Sequence, residues 1–512
     1  MTPDVNFCAV LEHHAHRSPD ALLASMGAET ITYGEMLDRS ARLAAGLRNR
    51  GVEDGSVVGL LAYNSIEFLE VMFAVNHVGA ALMPINWRLA APEVAYILGH
   101  SEAVAVVADA GLVGVADAAI AVLDSAPERW SIGTVENGNW TALDDVRGTQ
   151  AIGREAAGAD DLHRLMYTSG TTGRPKGVMI THANLAWKNL AHLVEFAFTS
   201  TDIGLACGPL YHVGALDLTT TTLVAAGAST VVHRTFDATA VVDEIERSGV
   251  TVVWLAPAMV NAILDLDGIE ERDLSSIRLV IGGGEKMPIP LIERLRRVFP
   301  NAWFADAYGL TETVSGDTFL DRDSTITKLG SCGRACLYLE IQIWDEACSS
   351  VPAGVAGEVV LRGPKVFPGY WRDPEATDRA FAGGWFHTGD VGVLDEDGYL
   401  FIVDRLKDMI VSGGENIASS EVERVLYEHP AVLEAAVVGR PDDRWGEVPV
   451  AYVVRRSGTG VSGDELIEWC RGRLAKFKVP VAVHFPDALP RNPSGKVLKR
   501  ELRTAKETKG TS

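Results

Sequence analysis

The chain has 512 residues, 47% of them hydrophobic and 22% charged, a balance that excludes disordered, collagen-like and low-complexity classes. Its 46 Lys and Arg against 68 Asp and Glu leave a net charge of −22, which repels nucleic-acid backbones and anionic lipid surfaces. At roughly 100–200 residues per domain, two or more domains are expected.

The first 20 residues carry Asp4, Glu12 and Arg17 without a long apolar run, so no signal peptide is expected. No stretch of 18 uninterrupted apolar residues occurs, because Asp109 and Asp117 break the Ala- and Val-rich run over 103–123. An integral membrane segment is therefore not expected. Six cysteines are too sparse for a disulfide scaffold, and Cys332 and Cys336 lack a second pair at zinc-ligand spacing. They read as structural thiols in a reducing cytoplasm.

Short β-branched runs then alternate with helical periodicity. Strands are expected over 56–61, 80–85 and 103–107, with helices over 66–77 and 92–98. After residue 200 the pattern resumes, with strands over 231–232, 250–255 and 277–281 and a helix over 238–247. Such alternation implies two α/β layers with parallel sheets covered by helices. From about Gly354 short strands and glycine turns take over, at 358–361 and 399–403. Beyond Asp404 the expected elements are helices over 419–428 and 463–475 and strands over 433–438 and 448–454, a small α+β module. The Lys- and Arg-rich stretch from 496 to 509 is expected to fray.

The densest chemical signal is Tyr167-Thr168-Ser169-Gly170-Thr171-Thr172-Gly173-Arg174-Pro175-Lys176-Gly177. Its glycines let backbone amides turn inward, its hydroxyls donate to phosphate oxygens, and Lys176 adds a mobile cation. It is not the NTPase P-loop, since two residues part Gly173 from Lys176 and Gly177 stands where that motif needs a hydroxyl. Taken with Ala307-Tyr308-Gly309-Leu310-Thr311-Glu312, Phe386-His387-Thr388-Gly389-Asp390, Asp404-Arg405-Leu406-Lys407-Asp408, Gly413-Gly414-Glu415-Asn416 and Pro490-Arg491-Asn492-Pro493-Ser494-Gly495-Lys496, in this order, the chain resembles the acyl-adenylate-forming superfamily, of the acyl-CoA synthetase type.

The resemblance implies an N-terminal adenylation domain over 1–404 and a mobile α+β lid over 405–512 carrying the catalytic lysine. It further implies two doubly wound α/β subdomains and a small β-rich one in the first part. Lys496, Thr311, Glu312 and Lys176 correspond to catalytic positions, with Glu312 the magnesium ligand. Thr168, Ser169, Gly170, Thr171, Thr172 and Gly173 would contact phosphates, and Gly283, Gly284, Glu285, Asp306, Ala307, Tyr308 and Gly309 would form the nucleotide site. Asp390 and Arg405 would meet the ribose. His212, Gly214, Ala215, Ala256 and Thr313 would border the acid, Lys407 would be the hinge, and Gly413, Gly414 and Trp445 would line a channel for coenzyme A. The implied co-substrates and metal are ATP, CoA and Mg2+. The implied partner is a small carboxylic acid.

The small residues at 213–216 suggest a roomy apolar cavity, and no Arg or Lys at 213–218 is available to pair a second carboxylate. Medium or long fatty acids, aryl acids and bulky polycyclic acids all fit this reading. A stand-alone enzyme loading an acyl carrier protein is the alternative, and a homodimer is left open.

Overall fold

The run Val57–Leu61 is buried at every position and pairs in parallel with Ala81–Pro84 on one side and Ala105–Asp109 on the other. Continuous apolar burial is what a strand covered on both faces requires. Between the first two strands, the helix Ile66–His77 starts where the Ser65 hydroxyl accepts from the Phe68 amide at 3.1 Å. These three strands centre a seven-stranded sheet, which ends in the antiparallel pair Leu162–Thr168 and Lys176–Thr181.

A nine-stranded sheet is built around Ile203–Ala206, Ser229–Val232, Val252–Leu255, Leu279–Gly282 and Trp303–Tyr308, all joined in parallel. Leu22–Met26 from the N-terminus joins it, running parallel to Ser229–Val232, with Glu29–Thr32 beyond it at one edge and Thr318–Phe319 and Arg334–Ala335 at the other. The computed structural model describes residues 4–504 apart from 137, 169–173, 285–286, 413–414, 443 and 492–494. Two compact units result. The first comprises Met1–Met287, Glu293–Glu340 and Leu361–Phe386; the second comprises Pro288–Ile292, Ile341–Val360 and His387–Ser512. A four-stranded sheet runs from Glu340–Trp344 through Gly357–Arg362 and Phe386–Leu394 to Leu400–Arg405. The second unit also holds a sheet built on the long hairpin Val432–Asp442 and Gly446–Arg455, with the helices Ser419–Tyr427 and Gly463–Arg471.

The expected fold class holds, and most expected elements recur within a few residues. Fraying from residue 496 does not hold among the described residues, and 505–509 lie outside them. Lys499–Thr504 is helical, with Leu502 buried and Lys499 Nζ bonded to Glu423 at 2.7 Å and to the Ser419 hydroxyl at 2.5 Å. The ion pair with Glu423 favours the ammonium against its burial, raising the Lys499 pKa. The expected break at Asp404/Arg405 falls inside the second unit. Asp404 accepts from both the amide and the hydroxyl of Ser419 at 2.6 Å, which ties the two sides of this break together. All six cysteines are free thiols and five are buried.

Glu70 is a fully buried carboxylate that receives Arg39 at 2.6 Å and Arg147 at 2.6 Å. Removing one partner of a buried pair costs about 3–5 kcal/mol, because the remaining charges stay desolvated. Glu70→Ala is expected to lower the unfolding free energy by about that amount in a urea titration. A loss below about 1 kcal/mol would mean that the two arginines find water instead.

Candidate active site

Register places Thr168 opposite Lys176 at the open end of an antiparallel hairpin, so a hydroxyl and an ammonium flank the glycine-rich turn. The turn residues Ser169, Gly170, Thr171, Thr172 and Gly173 lie outside the described residues. Lys176 Nζ rests 4.7 Å from the centroid of the Tyr370 ring, and the Tyr370 hydroxyl donates to Glu312 Oε1 at 3.0 Å. Burial first, and then the Glu312 carboxylate, push the Tyr370 hydroxyl pKa upward, so it stays a donor at neutral pH. The segment around Tyr370 is strapped down by two backbone bonds, Trp371 N to Gly177 O at 2.7 Å and Phe367 N to Glu312 O at 2.8 Å. One tyrosine thus joins the predicted phosphate lysine to the predicted metal carboxylate. Sequence reasoning missed it, although Gly369-Tyr370-Trp371 is an aromatic pair behind a glycine in a polar stretch.

The nucleotide candidates gather at the carboxyl ends of parallel strands, where ligands of open α/β sheets bind. Gly282 pairs with Asp306, and Gly283 follows so closely that an added Cβ would lie 3.1 Å from the Ala307 carbonyl oxygen. Glu285 lies outside the described residues. Beyond Tyr308 the chain turns back sharply, and Val314, Ser315 and Gly316 all take positive φ, at 56°, 67° and 61°. Two consecutive non-glycine residues there hold strain that the surroundings must over-determine. Lys365 does so: its fully buried ammonium donates to Ser315 O at 2.8 Å and Gly316 O at 2.5 Å and pairs with Asp317 at 2.9 Å. Gly309 must be glycine, since a Cβ would sit 2.3 Å from the Gly316 nitrogen. Thr313 is buried, with its hydroxyl donating to Asp317 at 2.5 Å, so it braces this turn. Thr311 and Glu312 remain partly exposed on its outer side.

The small residues of this region seat an aromatic ring. The Trp254 indole occupies the space they leave: a Cβ at Gly208 would lie 2.7 Å, and at Gly214 2.6 Å, from its ring atoms. A Cβ added at Gly284, where φ is 92°, would lie 3.6 Å from the same ring. The His212 ring stacks on the indole with centroids 5.9 Å apart and planes 27° apart, and His212 Nδ1 accepts from Gly214 N at 3.1 Å. Ala256 follows one residue after this strand and precedes Pro257, the first residue of the helix Pro257–Leu264. Ala215 is buried, directly below this wall.

In the second unit Asp390 and Arg405 face each other across adjacent strands, and Arg405 Nε meets Asp390 Oδ1 at 3.1 Å. The stretch before Asp390 is held by Glu358, which bonds His387 at 2.7 Å and the Gly389 amide at 3.0 Å. Lys407 lies in the single 3-10 turn Leu406–Asp408, and burial first, then Arg405, lower its pKa. Gly413 and Gly414 lie outside the described residues, between Ile410–Ser412 and Glu415–Ile417. Trp445 is exposed at a hairpin tip with the Arg444 guanidinium 4.8 Å from its ring. Lys496 is partly buried beside Gly495, whose φ is 92°. Its loop is closed by a bridge between Arg491 and Val497, and Arg491 reaches Gly495 O at 2.5 Å and Glu434 at 3.0 Å. Among the described residues no group of three or more His, Cys, Asp or Glu is placed to hold a metal, and no helix is long and apolar enough to cross a membrane.

An α/β sheet with glycine-lined strand ends, a hydroxyl–lysine hairpin and a separate lysine-bearing module defines a nucleotide-dependent ligase of the adenylate-forming class. The chain belongs to the AMP-binding enzyme family, whose model matches residues 11–371, with the family's C-terminal domain over 421–496. It is an AMP-forming acid–thiol ligase of the acyl-CoA synthetase type. It is 41% identical to a feruloyl-CoA synthase of Amycolatopsis sp over 96% of both chains. An indoleacetate–CoA ligase of Aromatoleum aromaticum is 35% identical, again over 96% of each. Among solved structures, the o-succinylbenzoate CoA synthetase of Bacillus subtilis in complex with its acyl-adenylate superposes with a TM-score of 0.87, at 32% identity over 99% of both chains.

Proposed function

We propose that this chain joins an aromatic monocarboxylic acid to coenzyme A, consuming ATP and passing through an acyl-adenylate. The observation that carries the substrate class is the Trp254 indole, stacked on His212 and seated where Gly208 and Gly214 lack side chains. It presents a flat aromatic surface on the strand that leads into Ala256. A planar ring stacked offset on such a surface gains about 0.5–1.5 kcal/mol beyond its buried area. The feruloyl and indoleacetate ligases among the relatives support the same class.

In the first half-reaction a carboxylate oxygen attacks the α-phosphorus, and the bond to the pyrophosphate oxygen breaks. In the second, the thiol sulfur attacks the acyl carbon, loses its proton and expels AMP. The residues position the anions and neutralise charge. We assign Thr168, Lys176 and Thr311 to phosphate contacts, together with the hydroxyls and amides of 169–173. Gly283, Gly284, Ala307 and Tyr308 are assigned to the adenine, and Asp390, oriented by Arg405, to the ribose. His212, Gly214, Ala215 and Ala256 border the acid. Trp445 is assigned to coenzyme A and Lys496 to the charge developing during adenylation. Magnesium suits Glu312, because this ion takes one or two carboxylates and completes its shell with phosphate and water oxygens. When bound, it neutralises phosphate charge. Tyr370 holds the Glu312 carboxylate through the bond to Oε1.

The test is a panel of substituted cinnamates, arylacetates and straight-chain acids, with AMP and thioester both measured. Aryl acids are expected to exceed C12–C16 acids by at least about tenfold in kcat/KM, a difference of about 1.4 kcal/mol. Trp254→Ala should narrow that gap by admitting longer chains. Equal turnover of alkyl acids by the unmodified enzyme would sink the substrate class. Formation of AMP without a CoA thioester would move the acceptor to a carrier protein.

A further inference from the structure

Three ionisable side chains with no role assigned above meet in the interior of the first unit. Arg164 lies on Leu162–Thr168, Lys188 on the helix His182–Phe196, and Asp217 in Gly214–Thr221. All three side chains are fully buried. Arg164 is ion-paired to Asp217 Oδ2, and Lys188 Nζ stands 3.7 Å from Asp217 Oδ1. A buried ionic set of this kind is weak as a stabilising device, because desolvation offsets the attraction. Its geometry suggests another use.

Gly214–Thr221 is a π-helix that continues directly into the α-helix Thr222–Ala226. The wider π turn is rare, and it displaces carbonyls from their usual amide partners. Side chains take their place. The Ala215 carbonyl receives the hydroxyls of Thr219 at 3.1 Å and Thr220 at 3.0 Å. The Asp217 carbonyl receives the Thr222 hydroxyl at 2.7 Å and Lys188 Nζ at 2.9 Å. Lys188 also meets Asn189 Oδ1 at 2.6 Å and the hydroxyls of Thr221 and Thr222 at 2.9 and 3.0 Å. Asp217 Oδ1 takes the Thr221 hydroxyl at 3.1 Å. Thr221 and Thr222 therefore donate to Asp217 and accept from Lys188, an arrangement that uses the full ammonium. Burial, partly offset by Asp217, pulls the Lys188 pKa down to about 7.

The π-helix begins with Gly214 and Ala215, and Gly214 is the residue seated on the Trp254 indole. Arg164 lies four residues before Thr168, on the strand that enters the glycine-rich turn. We propose that Arg164, Lys188 and Asp217 are positioning residues for recognition of the acid: they fix the π-helix against the phosphate-loop strand and so set where Gly214 and Ala215 stand against Trp254. This rests on the acyl-site reading above. All three side chains are fully buried, and the helix they hold carries Gly214 and Ala215, so the effect expected is on the acid rather than on ATP.

Two variants and one control test the proposal. Asp217→Asn keeps shape and removes the charge. The triple variant Arg164→Met, Lys188→Met, Asp217→Leu replaces the set by apolar groups of similar volume, which a purely structural role tolerates. Trp254→Ala is the control for the acyl site. The expected result is a folded Asp217→Asn enzyme whose KM for the best aryl acid rises about ten- to a hundredfold, the scale of an ångström-sized misplacement, while KM for ATP stays within about twofold. The triple variant should melt cooperatively and lose discrimination between aryl and straight-chain acids. Unchanged acid KM and selectivity in both variants, or equal rises in KM for acid and ATP, would overturn the proposal. So would an Asp217→Asn chain that does not fold, since the role would then be structural. If Trp254→Ala shifts selectivity and the other two do not, the positioning role falls and the acyl site stands. If Trp254→Ala also changes nothing, the acyl-site reading is the one that has failed.

Discussion

Lys496→Ala is expected to slow adenylation by about 10²–10³, the value of a single charge-stabilising contact in a transition state. Two anions, a carboxylate and an α-phosphate, must approach each other, and the charge on the phosphoryl oxygens grows as they do. The loop that presents Lys496 is braced independently of that side chain, through Arg491, Glu434 and the bridge to Val497. Removing the ammonium should therefore leave the fold intact. Pyrophosphate exchange reports the first half-reaction, and synthetic acyl-adenylate with CoA reports the second. The second should proceed at near the unmodified rate. Parallel loss of both would assign Lys496 a structural role.

Lys407→Pro is expected to leave pyrophosphate exchange near normal and to slow thioester formation by about 10²-fold, comparable with the cost of misplacing a reacting group by an ångström. The reasoning starts from chemistry. On the proposed assignment Lys496 serves the α-phosphate while the adenylate forms, and the thiol then has to approach the acyl carbon joined to that phosphate. One or two torsions in a short segment suffice to move a module. Lys407 sits in the single turn Leu406–Asp408, flanked by Arg405 paired to Asp390 and by Asp408 paired to Arg503 at 2.9 Å. Proline fixes φ near −65° at 407 and disfavours a helical Leu406, so the segment loses its choice of conformations. A swing here also has to release the two Asp404–Ser419 hydrogen bonds, which suggests a second probe. Asp404→Ala should alter the ratio of the two half-reaction rates without abolishing either. Wild-type rates for both half-reactions in Lys407→Pro would place the pivot elsewhere.

The local geometry around the glycine-rich turn was legible because it depends on residues close together in sequence. Thr168 and Lys176 are eight residues apart and end up cross-strand neighbours, as a hairpin with a glycine-rich turn dictates. Helix Ile66–His77 was equally plain, since a serine cap precedes a long apolar run. The acid site was read less well. Residues 213–216 do not by themselves reveal what packs on them: the Trp254 indole, on a strand some forty residues later, seats against Gly214. Linear composition counts side-chain volume position by position, whereas packing at interior density fills any gap from wherever the chain returns.

The sequence alone therefore determined the fold class, through local periodicity, and the reaction class, through the family resemblance that its contiguous motifs carry. Only the tertiary structure decided the rest. It placed Leu22–Met26 in the nine-stranded sheet and set Tyr370 between Lys176 and Glu312. It put Lys365 under the strained turn at 314–316 and assembled Arg164, Lys188 and Asp217 around a π-helix. In each case the partners lie tens to hundreds of residues apart. A buried lysine or aspartate carries no local periodicity to announce it. Its presence is explained only by the opposite charge or orphan carbonyl that folding brings to it, since burying an unpaired ionic group would cost more than a fold of marginal stability tolerates.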